Sequence, residues 1–276
     1  MPSALSFTLT TASGAHPVSV EYERRGGGAP LLLLHGIGHH WQAWEPVLDI
    51  LATERDVIAV DLPGFGRSPA LPGGLPPGLP GMVPVLAAFL AELGIEQPHA
   101  AGNSLGGLAA LAMGREKLVR SVTALSPAGF WTEAERRYAF GVLRGMRAGA
   151  KALPLSAVEL LSRTTPGRAA LVSTIYARPG RRSPGAAVAE TRALRDATGF
   201  GSTLAAGRDA LFTDDLPDMP VTIAWGSRDR LLIPRQGVRA KSAIPKARLV
   251  RLPGCGHVPM SDDPALVARV LLDGSR

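Results

Sequence analysis

Ser104 stands between two glycine positions in Gly102-Asn103-Ser104-Leu105-Gly106-Gly107, directly after an apolar run over 98–102 and ahead of an alanine-rich run over 108–113. The first run predicts a short buried strand and the second a helix, so the serine falls where the chain must reverse sharply. In such an elbow, small residues at 102 and 106 let strand and helix approach closely and push the hydroxyl outward. The strain this places on the serine costs free energy and is retained where the position has a use. With 32 glycines in the chain the spacing can also arise by chance, so it acquires meaning only with partners.

A serine hydroxyl is a poor nucleophile near neutral pH and needs a base, itself held in one tautomer by a carboxylate. Of the six histidines (16, 35, 39, 40, 99 and 257), His257 lies in Gly254-Cys255-Gly256-His257-Val258-Pro259, between the last expected strand and the last expected helix. A loop there sits at the edge of the sheet from which an elbow serine projects. Position and glycine-rich surroundings thus favour a base over an incidental surface histidine. The matching carboxylate is Asp229, in Trp225-Gly226-Ser227-Arg228-Asp229-Arg230, just past another strand end. Asp214, Asp215 and Asp218 precede that strand and fall at its opposite end. Asp61, in Asp-Leu-Pro-Gly-Phe-Gly-Arg-Ser, reads as a turn residue bonded to the backbone.

Acyl transfer further requires donors aimed at a developing oxyanion, for which oriented backbone amides serve best. The loop His35-Gly36-Ile37-Gly38 offers the amide of Ile37, and the residue after the nucleophile offers that of Leu105. His35 reads as a pin for this loop. His39 and His40 stay open between pocket and packing roles; with Trp41 and Trp44 they are candidates for a pocket floor, although Trp44 suits helix packing better.

The elements that must position these residues alternate from residue 16 onward, as in strand-helix units on a mostly parallel sheet. Strands are expected at 18–23 (an early edge strand), 30–35, 57–61, 99–102, 119–125, 221–226 and 247–252. Helices are expected at 44–52, 83–93, 108–113 and 264–272. From 130 to 212 the strand signal vanishes, and 133–148, 156–163, 168–176 and 186–197 read as helices punctuated by Pro166, Pro179 and Pro184. This predicts a core of 1–129 and 213–276 carrying a helical insertion at 130–212. The proline-rich stretch 69–81 reads as a stiff loop ahead of the helix at 83.

Hydrophobic content of 46% with 19% charged residues describes a globular chain with room for one large core. No apolar run approaches the ~18 residues of a membrane span, and the N-terminus carries no leader pattern, so a cytoplasmic protein is expected. The single Cys255 fits a reducing compartment. The formal net charge is +7, and residues 130–212 hold all of it, with twelve arginines and one lysine against six carboxylates. No nucleic-acid motif accompanies the excess, so a solvated arginine surface is the plainer reading, with attraction of an anionic substrate or surface left open. A small-molecule substrate is expected, without nucleic acid, cofactor or metal; oligomeric state is left open.

HGIG after a strand, DLPGFGRS, GNSLGG, GSRDRLLIP and GCGHVPMSDDP occur in an order and spacing that resemble the α/β-hydrolase fold superfamily across nearly the whole chain. The resemblance implies an eight-stranded, mostly parallel sheet flanked by helices, with 130–212 as a helical cap. It also implies Ser104 as nucleophile, His257 as base and later acid, Asp229 as its orienting carboxylate, and the Ile37 and Leu105 amides as oxyanion hole. Serine at the elbow, in place of aspartate, points to acyl chemistry, with hydrolysis of a small or medium hydrophobic carboxylic ester as the first expectation. A carbon–carbon bond hydrolase of the meta-cleavage-product type is the alternative, although Val258 stands where those enzymes commonly place tryptophan. Ile37-Gly38 likewise departs from the aromatic-proline pair of perhydrolases. A non-catalytic ligand receptor on the same fold is the alternative from another class.

Overall fold

The computed structural model describes residues 2–212 and 216–276. The chain opens with a long hairpin, β1 (Ser3–Thr11) and β2 (Gly14–Gly26), whose register runs from Ser3 opposite Tyr22 to Thr11 opposite Gly14. The β1 strand was not expected, although Leu5, Phe7 and Leu9 alternate inward along it. Its presence corrects the reading of 18–23 as an edge strand, because β1 covers that side of β2 and forms the edge itself.

Next come β3 (Ala29–Leu34), a short 3-10 turn at Trp41–Trp44, α1 (Glu45–Ala52) and β4 (Arg55–Val60), then α2 (Leu79–Glu92), β5 (His99–Asn103), α3 (Leu105–Arg115) and β6 (Ser121–Leu125). The helix expected at 83 begins instead at Leu79, with Pro80 in its first turn, where no intrahelical N–H is needed. The loop through the proline-rich stretch is correspondingly shorter. Five helices follow: α4 (Glu133–Ala152), α5 (Leu155–Ser162), α6 (Thr165–Val172), α7 (Pro184–Asp196) and α8 (Phe200–Ala206). Thr132 and Glu135 form a reciprocal capping box at the start of α4, while Thr164 and Ser183 cap α6 and α7. The chain closes with β7 (Val221–Gly226), α9 (Arg235–Ala243), β8 (Arg248–Leu252) and α10 (Pro264–Gly274). Neither α8, which is short, nor α9, which is polar, carried an apolar period; Gly237 lets α9 lie on the Trp225 ring, only 3.1 Å from where a Cβ would be. The expected boundary at 213, with Asp214 and Asp215, lies outside the described residues.

The sheet order is β1-β2-β4-β3-β5-β6-β7-β8, antiparallel through β2 and parallel from β4 onward. The inner strands are buried throughout, as in the leucine run 31–34, because helices cover both faces of a parallel sheet. Parallel strands deliver their C-terminal ends to one edge. The chain runs outward from β3 to β4 and then crosses back to β5, so the direction of winding reverses between β3 and β5. Loops at such a reversal diverge and leave a crevice. Here the loops are His35–Gly38 and the turn at Ser104.

Candidate active site

The turn from β5 into α3 is held by glycines in direct backbone contact. A Cβ on Gly102 would collide with Gly106 O, and one on Gly106 with Leu34 O and His35 O. Ser104 between them adopts φ +57° and ψ −115°, a conformation that costs a non-glycine residue about 1–3 kcal/mol. It is offset by neighbouring bonds: Ser104 N donates to Leu125 O at 3.0 Å, and Ser104 O accepts from Leu108 N and Ala128 N. The side chain is only 7% exposed.

Asp229 and His257 arrive on the loops after β7 and β8. Asp229 Oδ1 accepts from the amides of Leu231 (2.9 Å) and Leu232 (2.8 Å), which leaves Oδ2 aimed at His257 Nδ1, 2.8 Å away. A carboxylate only accepts, so Nδ1 carries the proton and Nε2 holds the lone pair. The histidine loop is fastened twice. Asn103 Nδ2 donates to His257 O at 2.9 Å and to Leu125 O at 3.1 Å, tying the histidine loop to the residue before the serine. The Asp262 carboxylate accepts from Gly256 N, Ala177 N and Arg178 N, and Val258 N donates to Ile175 O, tying the same loop to the helical insertion. Neither Asn103 nor Asp262 was singled out in the sequence; both lie inside the quoted motifs, but their bonds span residues far apart in the chain. Cys255 is a poor nucleophile, because burial, reinforced by Asp262, pushes its thiol up to about 12.

The amide of Leu105 belongs to the first turn of α3 and has no carbonyl to bond within that helix. Across the crevice, the backbone at Gly36 lies against the serine: a Cβ there would sit 3.3 Å from Ser104 Cβ. Ile37, the next residue, borders both cavities that Ser104 borders. His35 fastens this loop by donating from Nδ1 to Gly36 O (2.7 Å) while Nε2 accepts from Leu62 N (3.0 Å). Full burial lowers its pKa to about 3, so it is neutral. Asp61 accepts from Trp41 N (2.6 Å) and Arg67 N (2.8 Å), and Ser68 Oγ donates to its carbonyl, consistent with the turn expected from its sequence. Burial nevertheless raises its carboxyl to about 6.

A cavity of about 200 Å³ is lined by Ser104 and His257 and by Leu143 and Met146 of α4, Leu171 of α6 and Leu194 of α7. A second, of about 50 Å³, also reaches Ser104 and is lined by Leu108, Trp131, Phe140 and Leu204 among others. His39 borders the larger cavity, whereas Trp41 and Trp44 join the hydrophobic core and form no floor to it. Among the described residues lining the larger cavity, Glu190 is the only carboxylate and no arginine or lysine is present. The arginine excess of the insertion therefore does not extend to the walls around the serine. Arg182, buried beside the cavity, is engaged by Glu190 and by Ser261 Oγ at 2.7 Å.

Residues 31–270 match the model of the alpha/beta hydrolase family. The chain belongs to that family. A stretch of 128 residues of this alpha/beta hydrolase, 45% of its length, is 41% identical to the dihydrolipoyllysine-residue acetyltransferase component of the acetoin cleaving system of Cupriavidus necator, and covers 33% of that protein. A stretch of 93 residues, 34% of the chain, is 43% identical to the pimeloyl-[acyl-carrier protein] methyl ester esterase of Aeromonas hydrophila, covering 35% of it. Both matches thus span about a third of the relative. Among solved structures, a thermophilic esterase from Thermogutta terrifontis superposes with a TM-score of 0.76 at 21% identity, over 98% of this chain and 97% of that one, a likeness of fold. Among the described residues, no helix is long and apolar enough to cross a membrane.

Proposed function

We propose that this alpha/beta hydrolase cleaves carboxylic esters through an acyl-enzyme on Ser104, with residues 130–212 acting as a cap over a core of 1–129 and 213–276. The observation that carries this reading is the alignment of Asp229 with His257 Nδ1, on a loop bonded to the residue that precedes a strained serine. Ser104 Oγ attacks the ester carbonyl as His257 Nε2 takes its proton, and Asp229 stabilises the resulting imidazolium. The carbonyl oxygen becomes an oxyanion held by the amides of Ile37 and Leu105, the latter at the positive end of α3. Collapse of this intermediate breaks the C–O bond, and His257 returns the proton to the departing alcohol. Water then gives a proton to His257 and attacks the acyl carbon, the serine leaves with that proton, and the carboxylic acid is released. The esterase activity named for the Aeromonas relative supports the same chemistry.

In the alternative, carbon–carbon bond cleavage of the meta-cleavage-product type, an arginine of the cap would grip a substrate carboxylate. With no arginine or lysine among the described cavity residues, and Val258 following His257, the ester reading is the better supported. The buried, unpaired Cys255 is compatible with a reducing, cytoplasmic compartment, where we place the protein. Replacement Ser104→Ala tests the function: hydrolysis of p-nitrophenyl acetate and butyrate is expected to vanish, together with labelling by a fluorophosphonate. Retained turnover sinks the proposal, and labelling of the native serine without multiple turnover on any ester favours a receptor.

A further inference from the structure

The two cavities that border the serine differ in chemistry as well as in size. Ile37, Ser104, Leu143 and Leu231 border both, but His257 borders only the larger and Leu105 only the smaller. The larger reaches the surface, since Gly149 and Ala170 in its lining are exposed, whereas no exposed residue lines the smaller. Buried side chains close the smaller one in. Leu108, Trp131, Phe140 and Leu204 are each at most 9% exposed, and the Trp131 and Phe140 rings pack edge to face with centroids 5.7 Å apart. Among the described residues, no ionisable side chain lines it. A cavity of ~150 Å³ takes one benzene ring, or ~25 Å³ per carbon. On that scale about 50 Å³ holds about two carbons, and about 200 Å³ holds about eight.

The acyl-enzyme reaction decides which half of an ester each cavity takes. His257 gives a proton to the departing alcohol and later takes one from the water that replaces it, so alcohol and water occupy the cavity that His257 borders. An alcohol released there has a way out while the acyl group stays on Ser104. We propose that the larger cavity holds the alcohol and the smaller one the acyl chain, so that the preferred substrates are acetate and propionate esters of larger, apolar alcohols. This rests on the ester-hydrolase reading and adds a substrate class to it. The ethyl group of a propionate supplies the about two carbons for which the smaller cavity has room. A charged acyl chain would surrender its hydration to walls that offer it no partner. The alcohol is apolar because Leu143, Met146, Leu153, Leu171, Leu194 and Val258 line its cavity, and the opening at Gly149 and Ala170 lets it extend further.

Isomeric esters of near-equal hydrophobicity separate the two cavities. Hexyl acetate is expected to exceed ethyl hexanoate in kcat/KM by about tenfold or more, and p-nitrophenyl propionate to exceed the octanoate likewise, because extra carbons overpack a closed site. Equal or reversed rates in either pair overturn the proposal. Leu204→Ala removes about three carbons from the wall of the smaller cavity and is expected to move the optimum of the p-nitrophenyl series from propionate to hexanoate. Gly207→Ala adds a methyl group to the same wall. Its backbone (φ −73°, ψ −3°) admits alanine, and the new Cβ meets Phe140 Cζ at 3.6 Å, an ordinary contact, so this variant is expected to fold and to move the optimum to acetate. An unchanged chain-length profile in Gly207→Ala refutes the assignment even where Leu204→Ala does not fold. Carbamylation of Ser104 reads the smaller cavity without turnover: p-nitrophenyl N-methylcarbamate is expected to label the serine faster than the N-hexyl homologue by about tenfold or more. That preference with no ester turned over defeats the hydrolase reading and upholds the cavity assignment. Labelling insensitive to chain length defeats the assignment, and a serine neither labelled nor active on esters defeats both.

Discussion

Replacing Asp229 by asparagine isolates the function of its carboxylate from its place in the fold. The native group gives Oδ1 to two backbone amides, Leu231 and Leu232, and Oδ2 to His257 Nδ1–H. An asparagine of the same shape keeps its oxygen on the two amides, which turns its NH2 toward Nδ1. The histidine then answers with a lone pair at Nδ1, and its proton moves to Nε2, where it could not take the proton of Ser104 that the proposed mechanism requires. Flipping the amide restores the productive tautomer but sets the NH2 against two N–H groups. Each buried bond lost in that way costs about 1–3 kcal/mol, so the productive arrangement is disfavoured by about 2–6 kcal/mol and populated at about one part in 30 to 2 × 10⁴. The kcat for p-nitrophenyl butyrate is expected to fall by the same factor, while thermal unfolding shifts little because the fold-supporting bonds remain. A variant retaining a tenth or more of native kcat would falsify this account of Asp229. Loss of activity accompanied by a large fall in Tm would instead assign the residue to folding.

Other substitutions probe the scaffold. Gly106→Ala places a methyl group against the backbone of Leu34 and His35, forcing α3 off β3; overpacking of this kind costs about 1–3 kcal/mol, so Tm and the rate of fluorophosphonate labelling should both drop, and an unchanged Tm refutes the close contact. Asp262→Asn turns one of three amide-accepting positions into a donor, so the histidine loop loosens from the insertion; activity and Tm are expected to fall together, and native values for both would remove Asp262 as the tether. His35 has a folded pKa of about 3 against 6.5, so the unfolded chain binds the extra proton and stability falls as pH drops from 6.5 toward 3. Between pH 7 and 4.5 this group alone costs about 2–3 kcal/mol. His35→Asn should lose correspondingly less stability over that interval in denaturant titrations, and equal losses in the two proteins exclude His35 as the cause.

Much of the fold and the candidate site was legible along the chain because the relevant signals are local. A buried parallel strand is mostly apolar, as 31–34 is throughout and 221–225 is apart from Thr222, and the turn after such a strand must tolerate close backbone contact, as Gly102 and Gly106 do. Motif by motif, this identified the loops at which Ser104, Asp229 and His257 stand. The hairpin strand β1 escaped notice because its alternation is only half-buried, and α9 because a polar helix that rests on one tryptophan shows little apolar period.

The sequence by itself determined which residue types stand at which strand ends, since strand, turn and helix preferences depend on neighbours a few positions away. Only the tertiary structure decided what meets across the crevice: Asp229 beside His257, Asn103 bonded to the histidine loop, Asp262 joining that loop to the insertion, and Glu190 rather than an arginine at the cavity wall. These pairings depend on the order in which strands lie in the sheet and on how the insertion folds back over it. Such contacts join residues up to 154 positions apart. Composition registered an arginine-rich stretch over 130–212, but pairing and burial decide where its charge is felt: Arg182 is balanced by Glu190, and around the serine the described walls carry one carboxylate and no arginine or lysine.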